Sequence, residues 1–238
     1  QSCKRNPLTL RTECLEADFN NDGLSDGWRL NNINRLVLLY TTASLGQQAV
    51  ATDIVLRTQY NMSTDKDRVE HLADFNGNGW TDMVIYRYNN AQPVLELYWH
   101  SGNPNAPYQE SRKALLYTYE VPQGGLKAVS SVQFIGDIDG NGLPDMVESS
   151  VEYLDAGHTA PVHVVRNLRL NRSNGQHAQF DTQEFVMPSG AGNPRYFSYF
   201  MDINGDGLPD WVGWTDENFS VNVRLNKGAG QFGPLQDV

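Results

Sequence analysis

Four stretches of this chain place oxygen side chains at a spacing that can wrap a hard cation. They are Asp18-Phe-Asn-Asn-Asp-Gly-Leu-Ser-Asp26, Asp74-Phe-Asn-Gly-Asn-Gly-Trp-Thr-Asp82, Asp137-Ile-Asp-Gly-Asn-Gly-Leu-Pro-Asp145 and Asp202-Ile-Asn-Gly-Asp-Gly-Leu-Pro-Asp210. Each reads Asp-x-(Asp/Asn)-x-(Asp/Asn)-Gly-x-x-Asp. The candidate side-chain ligands at positions 1, 3, 5 and 9 are Asp18, Asn20, Asp22 and Asp26 in loop 1, and Asp74, Asn76, Asn78 and Asp82 in loop 2. In loop 3 they are Asp137, Asp139, Asn141 and Asp145, and in loop 4 Asp202, Asn204, Asp206 and Asp210. Ca²⁺ takes about six to eight oxygens at about 2.3–2.6 Å in a tolerant geometry. Glycine at position 6 (Gly23, Gly79, Gly142, Gly207) permits the sharp turn, because it lacks a Cβ and tolerates positive φ. The carbonyl of position 7, from Leu24, Trp80, Leu143 or Leu208, then faces the ion, and the Asp at 9 closes the cage. The expectation is up to four Ca²⁺, one per loop.

These are not EF-hands. That loop needs a bidentate Glu at position 12 between two helices. Position 12 here is Arg29, Ile85, Glu148 and Gly213, and the flanks Met83-Val-Ile-Tyr86 and Trp211-Val-Gly-Trp214 are strand-like. Loops 1, 3 and 4 carry three carboxylates each, and loop 2 has Asp74 and Asp82 alone. Fewer charges bind Ca²⁺ more weakly, so charge alone ranks loop 2 lowest.

The elements that must hold these loops read as β. The first aspartates lie 56, 63 and 65 residues apart, a spacing that marks a repeat architecture. Between loops run short segments rich in Val, Tyr, Phe, Trp and Leu: 83–88, 94–99, 114–121 and 128–134 after loop 2, and 211–215, 220–226 and 232–238 after loop 4. Several alternate, and Gly, Pro, Asn and Ser clusters separate them. No amphipathic helix stands out. Four strands per repeat of about 60 residues is the blade of a β-propeller. The expectation is one all-β domain over 1–238, with four four-stranded antiparallel blades at about 8–60, 66–122, 127–188 and 195–238. Three arrangements stay open: a small closed propeller, half of a dimeric ring, or part of a longer protein. A β-sandwich is the runner-up.

The loops, and the stretch Val221-Asn-Val-Arg-Leu-Asn-Lys-Gly-Ala-Gly-Gln-Phe-Gly-Pro234 after the fourth, resemble the FG-GAP/VCBS repeat. This is the calcium-loop blade of integrin α-subunits and of many secreted bacterial proteins. The Leu-Pro-Asp ending and the Arg-Leu-Asn-x-Gly-x-Gly-x-Phe tail look most like propeller segments of SpvB-like and insecticidal toxin-complex proteins. Repeats 1 to 3 lack that tail. The resemblance covers nearly all of the chain and implies fold and calcium rather than an activity.

Composition narrows the classes. The net charge is −10, and the loops hold 11 of the 28 acidic residues. Four Ca²⁺ would bring the charge to about −2, so the acidity belongs mostly to the loops. No basic stripe for nucleic acid appears, and no apolar run approaches 18 residues, so no membrane insertion is expected. Cys3 and Cys14 form an even pair consistent with one disulfide at the N-terminal end. With calcium loops, this points to a secreted or cell-surface setting, and the start at Gln1-Ser-Cys reads as a processed or trimmed form. Sequons occur at Asn61, Asn171 and Asn218.

Catalytic patterns are sparse. His71, His100, His158, His163 and His177 form no zinc spacing, and no nucleophile elbow, P-loop or dinucleotide fingerprint occurs. Glu148 and Glu152 can share a strand face. Some propellers with such loops are polysaccharide lyases that use Tyr, His and Arg. The candidates for such a channel are Tyr86, Arg87, Tyr88 and His100, or Arg195, Tyr196 and Tyr199. Trp99 beside His100 is the best candidate for an exposed ligand contact, and Trp80 reads as a hydrophobic plug. The ends of the second strands, Tyr40-Thr-Thr, Tyr98-Trp-His, Arg169-Leu-Asn and Arg224-Leu-Asn, repeat no aromatic-polar set, which counts against a fourfold lectin. The expectation is a secreted, calcium-stabilised binding or scaffold module for a protein or glycan, within an adhesin or toxin. A lyase or a single-site lectin is the alternative.

Overall fold

Alternation and loop spacing produce strands throughout. In the computed structural model, residues 3–5, 12–14, 16–57, 67–88, 92–119, 129–153, 161–185, 198–214 and 221–237 are described. A hairpin, β1 (Cys3–Arg5) and β2 (Thr12–Cys14), comes first. Sheet 1 holds β3 (Gly27–Leu30), β4 (Arg35–Thr41) and β5 (Gln47–Val55). Sheet 2 holds β6 (Arg68–Ala73), β7 (Asp82–Arg87), β8 (Val94–Tyr98) and β9 (Lys113–Thr118). Sheet 3 holds β10 (Val129–Gly136), β11 (Asp145–Tyr153), β12 (Pro161–Asn171) and β13 (Phe180–Glu184). Sheet 4 holds β14 (Ser198–Met201), β15 (Asp210–Trp214), β16 (Val221–Arg224) and β17 (Gln236–Asp237). Neighbours in sequence are neighbours in each sheet, and all pairs are antiparallel. No helix occurs among the described residues.

The sequence pattern explains the strands. In β5, Val50, Thr52 and Ile54 point inward and their neighbours outward, the period-2 signature of a half-buried strand. In β7, Met83, Val84 and Ile85 are all buried, because an inner strand can be covered on both faces. Loops 2, 3 and 4 each join the first two strands of their sheet. Loop 1 departs: the chain before it makes a single bridge, Ala17 to Asp26, so sheet 1 has three strands. Of the stretch 232–238, expected as one strand, the described residues 232–237 form a bridge at Phe232 and two paired residues in β17. Gly233-Pro234 interrupts it, since Pro has no N–H for the ladder.

The chain packs as two compact units. The first is 1–118 with 174–178, and the second is 119–173 with 179–238. The core of the first gathers Phe19, Leu36, Leu38, Ile54, Met83, Ile85, Tyr98 and Tyr108. The core of the second gathers Ile138, Val147, Leu168, Leu170, Phe185 and Trp211, with Phe200 and Phe232 against it. Phe185 meets Phe200 and Phe232 edge to face at 6.1 and 5.2 Å, a preferred aromatic geometry. In the aromatic run before loop 4, Phe200 thus packs inward, and Tyr199 is exposed.

Cys3 lies directly opposite Cys14 in the β1–β2 register. Their side chains lie outside the described residues, as do the side chains of Glu152 and His163, and residues Asn61, His158, Arg195, Tyr196 and Asn218 altogether.

Candidate metal-binding loops

Each loop is built by its own side chains holding backbone N–H groups. At position 1, one carboxylate oxygen accepts from the N–H of position 5: Asp22 at 3.1, Asn78 at 3.1, Asn141 at 3.0 and Asp206 at 3.1 Å. The other oxygen accepts from the glycine at position 6, at 2.7, 2.6, 2.7 and 2.9 Å. The position 5 side chain accepts the N–H of position 7, from Leu24, Trp80, Leu143 and Leu208. Glycine at position 6 has φ between 84 and 89° in all four loops. Position 4 is left-handed too, occupied by Asn21, Gly77, Gly140 and Gly205. Only Gly, and less readily Asn or Asp, takes that conformation cheaply. The Gly/Asn pattern at position 4 was a signal in the sequence that the motif reading passed over.

Position 9 does more than close a cage. Its Oδ2 accepts from the position 2 N–H: Phe19 at 2.9, Phe75 at 3.0, Ile138 at 2.6 and Ile203 at 3.1 Å. Its Oδ1 accepts from the N–H at the far end of the adjacent strand: Thr41 at 2.7, His100 at 2.8, Asn171 at 2.7 and Asn226 at 2.7 Å. Asp26, Asp82, Asp145 and Asp210 are buried. Each fastens its loop to the neighbouring hairpin.

Two of those strand-end residues reach further. His100 Nε2 donates to Phe19 O at 3.0 Å, and Asn226 Nδ2 donates to Ile138 O at 2.7 Å. Each ties one sheet to position 2 of the loop in the preceding sheet of the same unit. Gly102 N–H donates to His100 Nδ1, so the proton sits on Nε2, and burial lowers the imidazole pKa to about 4. Trp80 stacks on His100 at 4.5 Å. Asn171 donates Nδ2–H to Pro144 O and accepts from Ser173 N–H. It is fully buried, so the folded chain hides this sequon from modification.

The donors suit a hard cation. Asp137, Asp139 and Asp145 offer carboxylate oxygens within 4.8 Å of one another and can hold a metal ion, the one such group of three among the described residues. Its third acid stands at position 3. In loops 1 and 4 the third acid stands at position 5, where it takes an N–H from the Asn at position 3. Burial pushes the Asp82 carboxyl up to about 7, with Asp74 adding repulsion, against the pull of the His100 and Phe75 N–H groups. Burial likewise raises Asp145 to about 6, helped by Asp139 and Asp137, and raises Asp26, helped by Asp22 and Asp18. A divalent cation would offset this burial cost by favouring the charged carboxylates.

The lyase candidates sit differently from their expected positions. Trp99 and His100 are buried, at 1 and 2% exposure, so neither presents a face to a ligand. The His100 ring is enclosed by Trp80, stacked on it, and by Tyr108, edge-on at 5.3 Å. Arg87 is also buried and bonds Asp67 at 3.1 Å, Glu96 at 3.0 Å and Tyr98 Oη at 2.5 Å. Tyr98 Oη also lies 2.9 Å from Glu96 and 3.0 Å from Glu110, and Lys113 pairs with both glutamates. Burial raises the Tyr98 phenol well above its ordinary value, so it stays neutral. Burial opposes the Glu96 charge, yet the bonds from Lys113, Tyr98 and Arg87 bring its pKa below the usual value. This network was not legible in the sequence, since its members come from four separate segments. Glu148 lies near Asn167 and Arg169 across β11 and β12.

Compared with known proteins, the chain matches no family model and no curated protein.

Proposed function

We propose that the chain is a secreted, calcium-stabilised β-propeller of the FG-GAP/VCBS kind, one blade per sheet, acting as a non-catalytic binding or scaffold module for a protein or glycan. The observation that carries this reading is the loop geometry. Four loops, three of them joining the first two strands of a sheet and one leading into sheet 1, repeat one set of side-chain to backbone bonds. The blade reading draws support from His100 to Phe19 and Asn226 to Ile138, the same sheet-to-sheet bond at equal positions in both units. Calcium supplies the positive charge that buried position 9 carboxylates need. The β1–β2 register supports a Cys3–Cys14 disulfide, and calcium with a disulfide suits the extracellular setting. Arg87 and His100 are buried with their polar atoms already bonded inside the protein, Arg87 to Asp67, Glu96 and Tyr98 and His100 to Phe19 and Gly102, which favours a binding role over turnover.

Thermal unfolding tests the metal. Ligands that bind only the folded state raise Tm by mass action. Millimolar CaCl₂ is expected to raise Tm by several degrees over the same chain in excess EGTA. Identical melting curves in the two would overturn the calcium reading.

A further inference from the structure

Loop 3 differs from the others in what touches its acid at position 3. Arg172, just after β12, places Nη1 2.5 Å from Asp139 Oδ2 and Nε 3.1 Å from Asp181 Oδ2. Asp139 is the nearly buried partner, with 4% of its side chain exposed, and Asp181 the open one, at 58%. The equivalent residues, counted from the strand end that bonds position 9, are uncharged Thr42 and Ser101 in sheets 1 and 2 and Lys227 in sheet 4, which acts through space on Asp206 at position 5 of loop 4. Position 3 of loops 1, 2 and 4 is Asn, which offers no charge for a cation to pair with.

We propose that Arg172 is a tethered cation that holds Asp139 when loop 3 is metal-free and, when Ca²⁺ enters, releases Asp139 while keeping Asp181. This rests on the calcium reading above. A guanidinium and a divalent ion cannot share one carboxylate without mutual repulsion, and a +1 and +2 charge a few ångströms apart repel strongly even in water. Asp181 gives the displaced guanidinium a second carboxylate on the same rigid strand pair, so loading needs a side-chain rotation and no backbone change. Loop 3 has the closest-set carboxylates, yet it carries its own competitor. Counting carboxylates therefore overrates it. It loads after loop 1, whose equivalent residue, Thr42, is uncharged.

The test is a CaCl₂ titration of the ¹⁵N-labelled chain, read by NMR at Gly23, Gly79, Gly142 and Gly207, one reporter amide per loop. Arg172→Gln is expected to tighten the site reported by Gly142 about tenfold and to leave the other three within about twofold. Arg172→Lys, which keeps the charge, is expected to tighten it far less. Asp181→Asn removes the second partner and is expected to weaken the same site several-fold. A Gly142 titration that Arg172→Gln leaves unchanged, while calcium still binds, overturns the proposal alone. No calcium-dependent shift at any of the four glycines in the unsubstituted chain overturns the calcium reading and the proposal with it.

Discussion

Each position 9 aspartate is a ligand candidate that already serves the backbone. Asp210 accepts from Ile203 and from buried Asn226. Asp210→Ala leaves both N–H groups unpaired, and a buried orphan donor costs about 1–3 kcal/mol. The expected loss is about 2 kcal/mol or more in EGTA, read as a lower urea midpoint. An unchanged midpoint would show that water replaces the carboxylate. Glycine at position 6 makes a different demand. Gly142 has φ +85° with open space where a Cβ would go, so Gly142→Ala meets conformational strain without a clash. A left-handed non-glycine costs about 1–2 kcal/mol, and urea unfolding should return that figure. Both demands are local, which is why the nine-residue pattern announced them. The neighbours of the position 9 carboxylate were not announced, because Thr41, His100, Asn171 and Asn226 lie outside the motif.

At the scale of the element, equal loop positions meet unequal surroundings. Phe19, Phe75 and Ile138 at position 2 are fully buried, and Ile203 is 45% exposed. Phe19 and Ile138 each have a following sheet bonded over the carbonyl. Ile138→Ala should therefore cost about 2–5 kcal/mol, the range for a core Ile, and Ile203→Ala well under 1 kcal/mol. Equal losses in urea would mean that Ile203 is covered in solution. The strand segments were legible: 83–88 and 94–99 were expected where β7 (Asp82–Arg87) and β8 (Val94–Tyr98) stand. Runs of Val, Ile, Leu and Tyr between Gly and Asn clusters leave few other choices. The short β17 was not, since its failure depends on Pro234 interrupting a ladder whose partner is only present in the fold.

Across the whole molecule, charge and burial set the response to pH. Burial lowers the His71 pKa to about 4, against a small opposing pull from Glu70. The unfolded chain titrates near 6.5, so between about 6.5 and 4 the folded chain binds fewer protons. The stability from this group is complete above pH 6.5 and is lost as pH falls toward 4. His71→Phe, beside the Phe75 ring, should flatten that loss. Urea midpoints of both chains at pH 7.5, 5.5 and 4.5 check it, and parallel curves would rule the histidine out.

The chemistry of the loops and the β character of the chain were written in the sequence, because both rest on neighbours within a few residues. Oxygen at alternate positions, glycine where φ turns positive, and alternating strands are local requirements. The tertiary structure alone decided which loop residues are engaged and by what. His100 meets Phe19 across 81 positions, and Asn226 meets Ile138 across 88. Arg87 gathers Asp67, Glu96, Tyr98 and Glu110 into one partly buried network, and Arg172 lands on Asp139. No spacing rule encodes such pairs. They exist because sheet packing brings distant segments together, and burial then compels each polar group to find a partner.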